Sequence, residues 1–429
     1  MISYRKRRLR QIIEHAYRNV PYYTDVFRSA GITPRDIRTE DDLKHIPLIS
    51  KRDLQSLPVG EITSRGIREN SLIVRKTSGS TGEPSIIRRT WLEERILQGF
   101  RWRSLRSLGW RVSDKLSNIG LPEQIQPSDY QLPARFFHSL GFYRNKKIDC
   151  LQSIGKILQE LDEQHLDVIT GYPGVLSKMA QMIDNNDCMR NKPRFIAAGG
   201  ETLTRGMKDQ ISNAFGAPVY NLYGSHEFNL IAWECRETGE LHTCDDNVFL
   251  EIQREGVPVG EGEKGEVVIT GLHSFAMPFI RFRLGDVVTR GSDICSCGQP
   301  FSTISEVLGR MHDYFHLPGG GIVHPYEINR AIKGQIPDLI RQHQLIQETR
   351  ERIIMKIVPI KRIQRNVIEL LEESMKEILG RNIDFKIMQV DEIAIGPSGK
   401  FRVSHSMIES EYDGMDWERE FFIKDIKAN

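Results

Sequence analysis

The sequence predicts an α/β architecture: a large N-terminal domain of several subdomains on a parallel sheet, one of them β-rich, and a small α+β domain after it. Three observations carry this. Short apolar strands alternate with amphipathic helices between about residues 70 and 222. From about 235 to 305 the helical spacing stops, and strand-like runs are joined by glycine-rich turns. After Arg310 a strand, an amphipathic helix and another strand follow one another. A chain of 429 residues has room for two or three domains at roughly 150 residues each. The expected division is 1–310, with the β-rich subdomain at about 235–305, and 311–429.

The elements follow in order. Leu9, Ile12, Ile13, Ala16, Tyr17 and Val20 recur at helical spacing, so a helix is expected up to Pro21 and a second, short one to about Ala30. Thr39 and Asp42 stand at capping-box spacing before Leu43. Residues 72–77 read as a strand that enters a Ser/Thr/Gly loop, with a helix expected from Trp91. Strands are expected at 167–170, 195–198 and 219–222, and helices at 175–183 and 207–215. In such folds ligands bind beyond the carboxyl ends of the strands. Residues 249–252 and 266–270 read as strands of the β-rich part. In the last unit 352–359 and 384–390 read as strands and 367–379 as a helix.

Composition excludes several classes. Lys plus Arg is 59 and Asp plus Glu is 57, a net charge of +2, which does not suit a protein built on nucleic-acid electrostatics. No apolar run approaches the length of a membrane span. The basic stretch Arg5-Lys6-Arg7-Arg8 has no apolar region behind it, so no secretory signal is expected, and it reads as a solvated helix face. The six cysteines are too few for a disulfide scaffold in a chain of this length. They are expected to be reduced, in the cytoplasm.

Four segments carry chemistry. Thr77-Ser78-Gly79-Ser80-Thr81-Gly82-Glu83-Pro84 offers backbone amides and four hydroxyls to an anion, but lacks the Gly-Lys-Ser/Thr ending of a Walker A loop. Asn221-Leu222-Tyr223-Gly224-Ser225-His226-Glu227 follows a strand, as does Gly199-Gly200-Glu201-Thr202. Phe282-Arg283-Leu284-Gly285-Asp286 and Leu308-Gly309-Arg310 come later, and Gly396-Pro397-Ser398-Gly399-Lys400 lies near the end. Taken singly, each of these reads equally well as a turn, a core aromatic or a surface charge.

In this order the motifs resemble the adenylate-forming (ANL) superfamily of acyl-CoA ligases and carrier-loading enzymes. Ala16-Tyr17-Arg18-Asn19-Val20-Pro21-Tyr22-Tyr23, Ala30-Gly31-Ile32 and Ile46-Pro47-Leu48-Ile49-Ser50-Lys51 narrow the resemblance to the branch of phenylacetate–CoA ligases and CapK proteins. It runs from about residue 10 to about residue 405. The resemblance implies ATP, Mg²⁺ and CoA. Ser78, Gly79, Ser80, Thr81 and Gly82 would hold the ATP phosphates, and Glu227 would ligate Mg²⁺, a hard cation that favours oxygen. Tyr223 would stack on adenine beside Gly200, Glu201, Gly224 and Ser225. Asp286 would accept hydrogen bonds from the ribose, with Arg310 nearby. Lys400 would bridge the carboxylate and the α-phosphate in the first step, carried by a mobile C-terminal domain that swings about His312 and Asp313. Residues 119–144 do not resemble the acyl pocket of the phenylacetate enzymes, so the resemblance does not extend to the acid.

Cys235 and His242, with Cys295 and Cys297, form a second constellation. Thiolates and imidazole suit tetrahedral zinc, buried free cysteines being the alternative. Some relatives in this branch carry a structural zinc on a similar pattern, and Cys244 is a spare candidate.

The expected activity is that of an AMP-forming acid–thiol ligase, with a small carboxylic acid, ATP and CoA as partners. An amine or a carrier as acceptor, in capsular polysaccharide or secondary-metabolite synthesis, is the alternative within enzymes. A non-catalytic nucleotide-binding protein on the same fold is the alternative of another class. No nucleic-acid or membrane partner is expected; a homodimer is compatible with the sequence.

Overall fold

The computed structural model describes residues 1–76, 86–121, 142–163, 166–186, 191–310, 315–318, 322–323, 328, 331–332, 335–336, 339–393 and 404–408. The N-terminal helix Ile2–Asn19 buries Leu9, Ile12, Ile13 and Ala16 on one face. Val20 is extended, as a residue before proline prefers, and Pro21 opens the helix Pro21–Ser29. The Asp42 carboxylate accepts hydrogen bonds from the Thr39 amide at 2.7 Å and hydroxyl at 2.9 Å. Asp42 itself lies in a short 3₁₀ turn, Asp41–His45, whose N-cap residue Glu40 makes no side-chain capping bond.

This helical hook lies against the β-rich part of the molecule. The Tyr23 hydroxyl donates to the Pro278 carbonyl at 2.9 Å. The Ile49 amide donates to Arg281 O and the Arg283 amide to Ile49 O. Tyr23, Phe27, Ile46, Ile269, Ile280 and Phe282 share one core. The basic stretch is bound to the protein itself: Arg5 forks onto Glu40 at 2.7 and 2.8 Å, and Arg8 donates to Leu272 O at 3.0 Å.

The strands are β1 (Ile73–Lys76), β2 (Ile86–Arg89), β3 (Leu116–Gly120), β4 (Asn145–Asp149), β5 (Val168–Gly171), β6 (Phe195–Gly199), β7 (Val219–Tyr223), β8 (Ala232–Glu234), β9 (Leu241–Thr243), β10 (Val248–Arg254), β11 (Val257–Pro258), β12 (Lys264–Gly271), β13 (Phe282–Arg290) and β14 (Thr303–Arg310). Among the described residues twelve of them form one sheet, in the order β11-β10-β12-β13-β14-β9-β8-β7-β6-β5-β3-β4. β3 to β7 pair in parallel, as the alternating pattern predicts. The helices Ile154–Asp162, Pro173–Asn186 and Arg205–Phe215 build a second core with these strands around Ile157, Leu161, Ile169, Leu176, Ile196 and Ile211.

The β-rich part continues this sheet. β7 pairs antiparallel with β8, and β9 pairs with β14, which brings in the remaining strands. β1 and β2 pair only with each other among the described residues. They flank residues 77–85 and lie outside the large sheet.

The last unit contains a four-stranded sheet, β19 (Asp384–Gln389), β18 (Arg352–Pro359), β17 (Ile340–Thr349) and β20 (Ser404–Ser406), together with the short pair β15 (Phe315–His316) and β16 (Ile322–Val323). The helix Arg365–Leu379 covers it with Leu371, Met375 and Leu379, against Ile353, Met355 and Phe385. Val358 and Ile393 of this unit belong to the second core, so it rests on the parallel half of the large sheet. No helix among the described residues is long and apolar enough to cross a membrane.

Candidate active site and metal centre

The Tyr223 hydroxyl, at the carboxyl end of β7, donates to Asp286 Oδ2 of β13 at 2.6 Å, and both side chains are buried. β7 and β13 stand four places apart in the sheet. In a flat sheet that would be about 19 Å, beyond the reach of a tyrosine. The sheet therefore curls. The pairing of β13 slips register beside Val287 and Val288 and again beside Thr289 and Arg290, and such bulges increase twist. Asp286 is also the register partner of Arg310 on β14. Tyr223, Asp286 and the backbone at Arg310 thus converge, as the motif order implies.

The neighbouring turns are shaped by close approaches. A side chain at Gly224 would put its Cβ 2.0 Å from Asn229 O, so the turn after β7 closes only with glycine. Gly200, after β6, has φ +82°, and a Cβ there would lie 2.9 Å from the Tyr172 ring. Glu201 faces away from a purely ligand role: its carboxylate accepts the Gly174 amide at 2.7 Å, bracing the start of the helix Pro173–Asn186. Ser225 Oγ is covered and has no hydrogen-bond partner among the described residues. An orphaned hydroxyl between Gly224 and Glu227 fits an oxygen-rich ligand there.

Glu227 is buried and lines a cavity of about 160 Å³ with Leu54, Arg88, Met277, Phe279 and Phe282. One carboxylate joined by substrate phosphates is a usual way for proteins to hold Mg²⁺, and Glu227 suits it. Ser78, Gly79, Ser80, Thr81, Gly82, His312, Asp313 and Lys400 lie outside the described residues. Of Arg310 only the strand position is described.

The reading of the sequence passed over Arg89. Its guanidinium reaches the main chain of the same turn, donating to Glu227 O at 2.7 Å and to His226 O. It also pairs with Glu94 Oε2 at 3.1 Å. The two adjacent arginines that end β2 were the available signal.

Cys235, His242, Cys295 and Cys297 meet, with all four ligand atoms within 4.8 Å of one another. Cys235 ends the hairpin of β8 and β9; Cys295 and Cys297 lie on a turn before β14, and Thr303 of β14 pairs with His242. The Cys235 and Cys295 sulfurs are 3.9 Å apart, and Cys297 Sγ is 3.4 Å from His242 Nε2. Ligands on one tetrahedral zinc sit about 3.3–3.8 Å apart, whereas a disulfide needs about 2 Å. The centre fits the metal.

Electrostatics agree. Burial works against the Cys235 thiolate, but Thr238 amide and hydroxyl groups donate to it and bring its pKa below the ordinary value. Burial and the neighbouring Cys295 and Cys235 sulfurs push Cys297 up to about 11, because clustered sulfurs resist joint ionisation without a cation between them. Burial depresses the pKa of His242, keeping it neutral, as a ligand must be. His242 Nδ1 is buried without a partner among the described residues. Cys244 is outside the centre: its thiol faces Arg103 at 3.0 Å and Asp246 at 3.4 Å.

Comparison with known proteins finds relatives in sequence and in fold. The CapK C-terminal domain model matches residues 315–406. A phenylacetate–coenzyme A ligase of Thermus thermophilus is 25% identical over 362 residues, 79% of this chain and 76% of that protein. The CapK protein of Staphylococcus aureus is 24% identical over 421 residues, 94% of this chain and 88% of that protein. A crystal structure of 2-hydroxyisobutyryl-CoA ligase in the postadenylation state, in complex with 2-HIB-AMP, superposes with a TM-score of 0.75 at 18% identity, over 94% of this chain and 88% of that one. At that identity the likeness is one of fold.

The curled sheet, with its glycine turns and the Tyr223–Asp286 pair at the strand ends, has the fold of that ligase. In sequence the chain is similar to phenylacetate–CoA ligases and to CapK, and its last unit matches the CapK C-terminal domain model.

Proposed function

We propose that this protein is an ATP-dependent carboxylate ligase that forms an acyl-adenylate and then an acyl thioester, with CoA as the thiol. The observation that carries the reading is the Tyr223–Asp286 pair at the end of β7, with Ser225 and Glu227 on the turn that follows that strand. The similarity to phenylacetate–CoA ligases over about three-quarters of the chain supports it. In the first step a carboxylate oxygen attacks the α-phosphorus, the bond to the β-phosphate oxygen breaks, and pyrophosphate leaves. In the second the sulfur of the thiol attacks the acyl carbon, its proton is lost, and AMP leaves.

A carboxylate attacks a phosphate anion only where negative charge is offset by oriented donors and cations. Bound Mg²⁺ supplies part of that charge, and Glu227 holds it. Ser78, Ser80 and Thr81 donate to the phosphates, and Lys400 bridges the carboxylate and the α-phosphate. Asp286 fixes the ribose, beside Arg310. Tyr223, Gly200 and Gly224 line the purine slot, with Glu201 behind it. The functional division is 1–310 for ATP and acid and 311–429 for the mobile domain, with His312 and Asp313 at the hinge. Zinc on Cys235, His242, Cys295 and Cys297 holds the β8–β9 hairpin to the turn before β14, and four protein ligands leave no position for chemistry. Such a ligase works in the cytoplasm, where ATP, CoA and reduced thiols coexist.

The test is a split of the half-reactions. Lys400→Ala should abolish acid-dependent ATP–pyrophosphate exchange while thiolysis of a supplied acyl-adenylate persists. Equal loss of both removes Lys400 from its role. A second reading, transfer to an amine or a carrier, is favoured by the 94% coverage of the chain against CapK; AMP release that depends on hydroxylamine or a sugar amine but not on CoA would select it.

A further inference from the structure

The hairpin of β1 and β2 brackets the phosphate loop but shares no ladder with the large sheet among the described residues. Its placement against the Glu227 turn therefore depends on side chains. One network provides this. Glu94, on the helix Trp91–Ser107 that follows β2, accepts Arg75 of β1 at 2.6 Å on one oxygen and Arg89 of β2 at 3.1 Å on the other. Arg89 then continues to the carbonyls of His226 and Glu227. The side chains of Arg89 and Glu94 are each only 3% exposed, so these bonds are shielded from water and salt.

From this geometry we infer that Arg89 is a positioning residue, which locks the hairpin of β1 and β2 to the Glu227 turn and so fixes the carboxylate that would hold the Mg²⁺ of Mg²⁺–ATP. The inference deepens the proposed function and rests on it. The guanidinium suits this task and an ammonium does not. A planar fork addresses a carboxylate with one arm and two carbonyls with the other, and a point charge cannot keep all three directions. Breaking the network leaves Glu94 buried against Arg75 and takes the guanidinium away from two carbonyls, and the hairpin loses this tie to the turn. A fault of this kind falls on the metal-bound nucleotide more than on the nucleotide itself, because only the former needs the Glu227 carboxylate in place.

The test measures ATP binding by calorimetry with and without Mg²⁺, for wild type, Arg89→Lys, Arg89→Met and Glu227→Gln, with melting curves for each. It needs no knowledge of the acid. In wild type Mg²⁺ should strengthen ATP binding, and in Glu227→Gln that gain should vanish. In Arg89→Met the gain should fall on the order of tenfold or more while metal-free ATP binds within about threefold of wild type. Arg89→Lys should recover less than half of the loss on a logarithmic scale, and Arg89→Met with Glu227→Gln should add little to Glu227→Gln alone. If Arg89→Met folds and keeps the full gain, or weakens ATP equally with and without the metal, Arg89 is a structural ion-pair partner and the inference is wrong. If Arg89→Met does not fold, Arg89→Lys decides by the same criterion. If wild type binds no ATP, the proposed function itself fails, and this inference with it.

Discussion

Tyr223 and Asp286 stand 63 positions apart in the sequence, yet the phenol donates to the carboxylate at 2.6 Å, at the place where the large sheet curls back on itself. The bond joins the end of a parallel strand to the middle of an antiparallel one. The proposed function uses both groups, the ring as a surface for the base and the carboxylate as an acceptor for ribose hydroxyls.

Asp286→Ala should weaken ATP binding by about 10- to 150-fold, the loss expected from one charge-assisted hydrogen bond of roughly 1.5–3 kcal/mol. Tyr223→Phe keeps the ring and removes only the donor, so its loss should be under about tenfold. Calorimetric titration ranks the two. Equal affinities for wild type and Asp286→Ala would return Asp286 to a packing role.

Glu227→Gln should reduce acid-dependent pyrophosphate exchange by about 10²- to 10³-fold, as loss of one electrostatic stabiliser does in other sites. Raising free Mg²⁺ should recover part of the rate. A variant with unaltered Mg²⁺ dependence would take Glu227 out of the metal's shell.

Protein purified without chelator should carry about one zinc per chain. The double change Cys295→Ser with Cys297→Ser should lower zinc content and melting temperature together, and adenylation at low temperature should largely survive. Elemental analysis and calorimetry read both quantities. A metal-free wild type as stable as the double variant would leave three ordinary thiols and an imidazole.

His273 accepts from Arg8 at 3.2 Å on Nδ1 and faces the Asp246 carbonyl at 2.9 Å through Nε2, an assignment that suits the neutral ring with its proton on Nε2. Burial lowers its pKa from 6.5. The folded state thus binds the proton less readily than the unfolded state. His273 contributes its stability fully above about pH 6.5, and that contribution is lost as the pH falls from there through the folded pKa. Urea unfolding from pH 8 to pH 5 should show wild type losing stability below about pH 6.5 more steeply than His273→Gln. Parallel curves would show that the ring titrates normally.

Much of the parallel half was legible, because each strand carries its own apolar run and the helices their own period. The expected strand at 195–198 is β6, and the expected helix at 207–215 is Arg205–Phe215. The four candidate metal ligands were legible as chemistry but not as neighbours, since tertiary pairing of β9 with β14 is what unites their two segments. The β-rich subdomain was legible as a change of pattern, but that it extends the same sheet follows from the β9–β14 pairing, which no local pattern encodes. Arg89 was missed because its partners are two main-chain carbonyls more than 130 positions away, and carbonyls carry no signature in a sequence.

Acid-dependent ATP–pyrophosphate exchange in the intact wild-type protein tests the central claim most directly, run across a panel of aliphatic, hydroxylated and aryl carboxylic acids with Mg²⁺ and without CoA. The account predicts exchange that requires one class of acid and Mg²⁺, proceeds without CoA, and gives AMP when CoA is added. ATP that binds but never exchanges with any acid, or that is split to ADP and phosphate, would contradict it.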